Sequence, residues 1–157
     1  MKSYYKSPIG FIRIDGDENG ISGLVFVDKA DSEEYRAGEE FNQSIFQMDE
    51  YFKGKRKIFD LELDLKGTAF QLRVWNELLK IPFGRTISYK ELSLRLGDVK
   101  AIRAVAAANG ANPVSIIVPC HRIIGSDGSL TGYRGGLWRK RWLLDFESND
   151  LLFTPSM

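Results

Sequence analysis

A chain of 157 residues, 43% hydrophobic and 27% charged, is sized for one sizeable core or two small ones; it contains no apolar stretch near the roughly 20 residues of a membrane span. A single Cys excludes an internal disulfide, and one Cys with one His leaves no ligand set for a structural zinc. The net charge of +1 hides an acidic part, residues 1–66 with 10 Lys/Arg against 14 Asp/Glu, and a basic part, residues 67–157 with 12 against 7, a modest pointer to an anionic partner such as nucleic acid.

The opening residues hold no signal-peptide apolar core, so cytoplasm without a membrane is the expected setting. Gly10–Asp15 and Ile21–Val27 flank Gly16-Asp17-Glu18-Asn19-Gly20, which predicts a β-hairpin. A charged linker, 28–40, follows. Phe41, Ile45, Met48 and Phe52 then form the stripe of an amphipathic helix that Gly54 ends. Phe59–Leu65 alternates strictly and predicts a half-buried strand. Lys66-Gly67 is the expected boundary between a domain over 1–66 and a second over 67–157.

The second part reads as mostly helical. Thr68–Lys80 places Phe70, Val74 and Leu78 on one face, and Pro82-Phe83-Gly84 closes it. Ser88-Tyr89-Lys90-Glu91 has the form of a capping box, so a helix is expected from Tyr89 with Gly97 as its stop. Asp98 then caps a second helix through Ala108, ended by Asn109-Gly110, and the pair makes a helix-turn-helix. That second helix, with Lys100, Ala101, Arg103 and Ala104, is small-residue and Ala-rich. Its spacing fits two readings, tight helix packing or shallow docking in a minor groove with Arg103 long enough to enter the base stack.

After the Asn112-Pro113 turn, Val114–Val118 leads as an extended apolar segment into Pro119-Cys120-His121-Arg122. A turn at 125–128, a Gly-rich loop at 131–136 and a last helix from Leu137 to near Glu147 complete the chain. Thiolate is the strongest side-chain nucleophile and imidazole the base matched to neutral pH, and the chain's one Cys and one His are neighbours.

The Pro-Cys-His-Arg core, with Phe70–Trp75, Ile87-Ser88-Tyr89, Ile102-Arg103-Ala104-Val105, Asn112-Pro113 and Leu130-Thr131-Gly132-Tyr133, resembles the O6-alkylguanine-DNA alkyltransferases, in order over nearly all of 67–147. The resemblance implies an α+β fold: a small N-terminal sheet-and-helix domain, ribonuclease-H-like, and a mostly helical C-terminal domain with a helix-turn-helix. It implies binding in the minor groove of double-stranded DNA containing O6-alkylguanine; no exposed apolar stripe calls for a partner, so a monomer is expected, and transfer to a thioether needs no cofactor or metal. Cys120 is then the alkyl acceptor, His121 its base through a water, Glu147 the orienter of the imidazole, and Asn112 the brace of the turn below. Arg103 fills the vacated stack, with Lys100, Ala101 and Ala104 on the same DNA-facing surface. Tyr89 bonds the flipped base, Ile123 offers a carbonyl to the guanine amine, and Tyr133 and Arg134 belong to the pocket.

Arg134 stands where the family often has a small residue, which leaves three roles open: narrowing the pocket, meeting phosphate or pointing to solvent. Three rivals make other predictions. An alkyltransferase-like lesion flagger lacks the acceptor cysteine, a helix-turn-helix regulator carries base-reading side chains over 99–108, and a cysteine hydrolase turns over acyl substrates without DNA.

Overall fold

The computed structural model describes residues 2–28 and 42–153. The chain divides into two compact units, 1–66 and 67–157.

In the first unit, β1 (Lys2–Ser7), β2 (Gly10–Asp17) and β3 (Gly20–Val27) form an antiparallel meander in the order β1-β2-β3. The expected hairpin is β2–β3, with Ile14 opposite Leu24. Strand β1 has no sequence signal because its inward positions are occupied by the buried serines Ser3 and Ser7 rather than by aliphatics. It is held instead by pairing to β2 and by Tyr5, whose ring stacks on Phe52 and whose hydroxyl donates to Asp49 at 3.0 Å. Helix α1 (Asn42–Phe52) packs against β1 and buries Met48, Tyr51 and Phe52. Ile12, Ile14 and Leu24 are buried positions of β2 and β3, and Gly54 (φ 74°) ends the helix. Phe41 and 29–40 of the expected linker lie outside the described residues.

The strand expected over Phe59–Leu65 does not form. Its side chains keep the alternating burial through Leu63, but the backbone makes only one bridge, Leu63 with Ile21. The amide of Gln47 satisfies both backbone groups of Asp60, accepting from its N–H at 2.9 Å and donating to its C=O at 3.1 Å, in place of a ladder. At the bridge, Ile21 N–H donates to Glu62 O and Asp64 N–H to Ile21 O. Gly20 (φ 129°) permits this approach, since a Cβ there would lie 2.8 Å from Glu62 O. Gly20→Ala therefore combines a disfavoured backbone with a clash, and a denaturant melt is expected to show a loss of about 1–3 kcal/mol. An unchanged midpoint would contradict this packing.

The second unit begins with α2 (Ala69–Leu78), whose N-terminus carries a reciprocal capping box between Thr68 and Gln71. Trp75 is buried and its indole N–H donates to Ala108 O at 2.8 Å, tying α2 to α4 (Ile102–Gly110). Between them, β4 (Ile87–Ser88) leads into α3 (Tyr89–Arg95), where Ser88 Oγ accepts from Glu91 N–H at 3.0 Å. Only this half of the predicted box is made, and the Glu91 carboxylate meets Arg95 instead. Gly97 (φ 89°) turns the chain, and Asp98 caps a 3-10 turn, Val99–Ala101, that runs into α4. The helix-turn-helix is therefore α3 and α4.

The segment before the Cys is not extended. Val118 N–H returns to Val114 O, Ile117 N–H to Ser115 O, and Ile116 sits at φ 70°. A β-branched residue in the left-handed region is strained by about 1–3 kcal/mol, and here full burial of Ile116 holds it in place. Cys120–Arg122 form a further 3-10 turn, and β5 (Ile123–Ile124) then pairs in parallel with β4. The last helix, α5, spans Leu137–Phe153, so the end expected near Glu147 is corrected; Ser148-Asn149-Asp150 reads as a stop but the backbone continues through it. No helix among the described residues is long and apolar enough to cross a membrane.

Candidate active site

The site is built where the Cys120–Arg122 turn meets α5. Lys140, Leu143 and Glu147 recur at i, i+3 and i+7 on α5, and all three are buried. Glu147 is 1% exposed, and three donors reach it: Arg122 Nε to Oε1, Arg122 Nη2 to Oε2 and His121 Nε2 to Oε2, each at 2.9 Å. Burial alone would raise its pKa, yet the imidazole and the guanidinium together hold the carboxyl well below the usual range. Arg122 is otherwise structural, donating to Ile81 O at 2.7 Å and lying over Phe83.

An ionised Glu147 fixes the state of His121. Burial keeps the fully enclosed imidazole neutral by lowering its pKa, against the pull of Glu147. A carboxylate can only accept, so Nε2 carries the proton and Nδ1 presents its lone pair. That Nδ1 is buried and has no hydrogen-bond partner among the described residues, so the ring is left as a poised proton acceptor.

Cys120 is 6% exposed. Burial pushes its thiol pKa up, while a hydrogen bond to the Asn112 side chain and the positive charges of Lys140 and Arg134 pull it back. Asn112 is itself fixed, donating from Nδ2 to Val118 O at 2.7 Å and accepting from Val114 N–H at 3.0 Å. It holds the turn closed at both ends.

Beside this core lies a cavity of about 620 Å³. Tyr89 of α3, Arg103, Ala106 and Asn109 of α4, and the loop Thr131–Arg134 wall it, along with Ile102 and Gly110. Cys120 is not itself part of that wall. It is joined to it through Asn109, whose Nδ2 donates to Cys120 O at 3.4 Å, and through Tyr133, whose phenol burial raises well above its ordinary value, with the Cys120 charge adding to that. Tyr89 hydroxyl donates to Thr131 O at 3.1 Å.

The sequence-predicted residues therefore fall into three groups. Cys120 with Asn112 and His121 with Glu147 are two buried pairs meeting at the Cys120–Arg122 turn, whereas Tyr89, Arg103, Tyr133 and Arg134 line the cavity. Lys100 and Ala104 are exposed and Ala101 half-exposed, off the cavity wall, and Ile123 is fully buried against Ile87. Packing of α4 uses Val105 and Ala108, which leaves Ala104, Ala106 and Ala107 open.

Lys140 and Asn109 were not expected from the sequence. Lys140 is fully buried, its ammonium donating to Thr131 O at 2.9 Å and standing 5.9 Å from the Tyr89 ring centroid. Burial lowers its pKa and the Cys120 charge raises it. Its signal was the i, i+3, i+7 stripe with Leu143 and Glu147, masked by the neighbouring Arg139 and Arg141.

Comparison with known proteins places this geometry. The 6-O-methylguanine DNA methyltransferase DNA binding domain matches residues 69–149, and the ribonuclease-like domain of the same proteins matches 1–65. A methylated-DNA–protein-cysteine methyltransferase of Methanosarcina barkeri is 46% identical over 151 residues, 93% of this chain and 96% of that protein. The crystal structure of the Mycobacterium tuberculosis O6-methylguanine methyltransferase superposes with a TM-score of 0.84 at 43% identity, covering 96% of this chain and 94% of that one. The same organism's protein in complex with DNA also gives a TM-score of 0.84, at 44% identity and 94% coverage of each chain. With both family domains matched in order and a relative this similar along its whole length, the chain belongs to the 6-O-methylguanine DNA methyltransferase family.

Proposed function

We propose that this chain repairs DNA by direct reversal, moving the alkyl group of O6-alkylguanine onto its own Cys120. The observation that carries the reading is the buried relay in which Glu147 holds the His121 imidazole with Nδ1 free to accept, one residue from the sulfur. The thiol proton passes to His121 Nδ1 through a bridging water. Sγ then forms a bond to the alkyl carbon as the O6–carbon bond breaks, and the electron pair leaves with the guanine. His121 is the base and Glu147 its orienter. Asn112 steadies both the turn and the sulfur.

The base is buried in a duplex stack, so it must be flipped out at a cost of a few kcal/mol. Arg103, exposed at the cavity rim, fills the gap, and α4 docks its open alanines in the minor groove alongside Lys100, Ala101 and Ala104. Tyr89 bonds the flipped base, the Tyr133-Arg134 amides support O6, and the Cys120 and Ile123 carbonyls accept from the guanine amine. Residues 67–157 are the DNA-binding and acceptor domain; the protein works as a cytoplasmic monomer without cofactor. The product is a thioether with no second thiol in the chain to resolve it, so each molecule acts once.

Treatment with a duplex containing O6-methylguanine, followed by peptide mass spectrometry, tests the assignment. A gain of about 14 Da on the Cys120 peptide is expected of a thiolate nucleophile. An unmodified Cys120 peptide after the lesion has disappeared would refute the proposal.

A further inference from the structure

Arg134 is exposed, lines the cavity, and its guanidinium makes no hydrogen bond or ion pair with the described residues. Among the described residues the cavity wall carries two guanidinium groups, those of Arg103 and Arg134, and no carboxylate. An anion that answers them has to arrive with the substrate. The two cations are not equivalent. Arg103 lies on α4, the helix that docks on DNA, whereas Arg134 belongs to the loop whose amides support O6. Burial raises the Cys120 thiol pKa, and the Arg134 charge is one of those that pull it back. The field of this guanidinium therefore reaches the sulfur that the alkyl carbon joins. Lys140, the other cation felt at Cys120, is already engaged by the Thr131 and Gly132 carbonyls, at 2.9 and 3.5 Å.

We propose that Arg134 is a specificity-determining residue that takes the carboxylate of an anionic alkyl group, so that O6-carboxyalkylguanines, with carboxymethyl the shortest, are substrates of this site. The inference rests on the proposed repair reaction, in which the Arg134 amide supports O6 and roots its side chain beside the oxygen that bears the alkyl group. Such a group meets a difficulty that methyl does not. Its carboxylate is attached to the carbon that a thiolate must attack, and like charges this close repel. A guanidinium presents a planar fork matched to a carboxylate and stays charged at any working pH, so it offsets the repulsion. Water excluded by the docked duplex strengthens the pair. Sγ then bonds to the methylene carbon as the O6–carbon bond breaks. The electron pair goes to the guanine, the thiol proton to His121, and Cys120 becomes S-carboxymethylcysteine. A DNA phosphate is the other anion within reach, but it is present whatever the alkyl group.

The test compares transfer rates from two duplexes of one sequence, one with O6-methylguanine and one with O6-carboxymethylguanine. The parent's Cys120 peptide should gain about 58 Da from the second duplex, a carboxymethyl group on the thiolate sulfur. The carboxymethyl-to-methyl rate ratio is expected to fall about tenfold or more in Arg134→Gln, the worth of a hydrogen bond to a charged group. It should fall less in Arg134→Lys, which keeps the charge and loses the fork. Arg134→Ser replaces the Gln variant if that protein does not melt cooperatively. A ratio that is the same in the parent and the Gln or Ser variant overturns the inference, and two rates that fall together, as loss of a phosphate contact would make them, give that result. A Lys variant that drops as far as Gln overturns it too, as does a parent that takes methyl and leaves carboxymethyl on the guanine. Loss of methyl transfer in the parent would instead overturn the repair reaction itself.

Discussion

Glu147→Gln is expected to lose about 3–5 kcal/mol of stability and to slow methyl transfer by roughly 10²–10⁴-fold. The stability loss follows from Arg122. Its guanidinium is nearly buried and makes two bonds to the Glu147 carboxylate, so neutralising the acid leaves an uncompensated cation in the interior. The kinetic loss has a separate cause. A Gln amide turned to donate toward His121 Nε2 moves the imidazole proton to Nδ1, the atom that must accept. The same group sets an acid dependence. Because the folded carboxyl lies well below its unfolded value, its contribution is complete above the unfolded pKa, near 4.3, and is lost as pH falls through the folded one. Denaturant melts of the parent should weaken below about pH 4, and the Gln variant should lack that part of the slope. A variant as stable as the parent at neutral pH would contradict the buried pair.

Arg103→Ala should separate flipping from chemistry. Arg103 is exposed on α4, at the cavity wall, and makes no hydrogen bond or ion pair with the described residues. Truncating it should therefore change stability by less than about 0.5 kcal/mol. Transfer from a duplex should nonetheless slow by about 10- to 100-fold, since filling a vacated stack is worth roughly what a base–side-chain stack is worth. Transfer from O6-methylguanine as a free base, which needs no flipping, should be unchanged. Equal slowing on both substrates would place Arg103 in the pocket chemistry instead.

Much of the site was legible in the chain because its chemistry is concentrated in rare residue types. A lone Cys beside a lone His, with a family motif around them, pointed to Cys120 and His121, and the motif position to Glu147. The parts that stayed hidden depend on side chains of ordinary type placed by tertiary packing. Lys140 sits between the arginines at 139 and 141, Asn109 doubles as a helix-ending residue, and the two hydrogen bonds from Arg122 to Glu147 span 25 residues. The fold shows the same division. Capping residues Thr68, Ser88 and Asp98 and the stop at Gly97 act locally, so α2 and the helix-turn-helix could be read directly. Strand β1 hides behind inward serines, and 59–65 loses its ladder to Gln47, a partner thirteen residues away. The turn before Cys120 depends on a left-handed Ile116, which no local propensity foretells.

The central claim is that one sulfur takes one carbon and keeps it. Counting methyl groups transferred from a large excess of radiolabelled O6-methylguanine duplex measures this directly. The account predicts a plateau at one methyl per protein chain, all of it on Cys120, and none in Cys120→Ala. Label transferred beyond that plateau, or repair by Cys120→Ala, would contradict it.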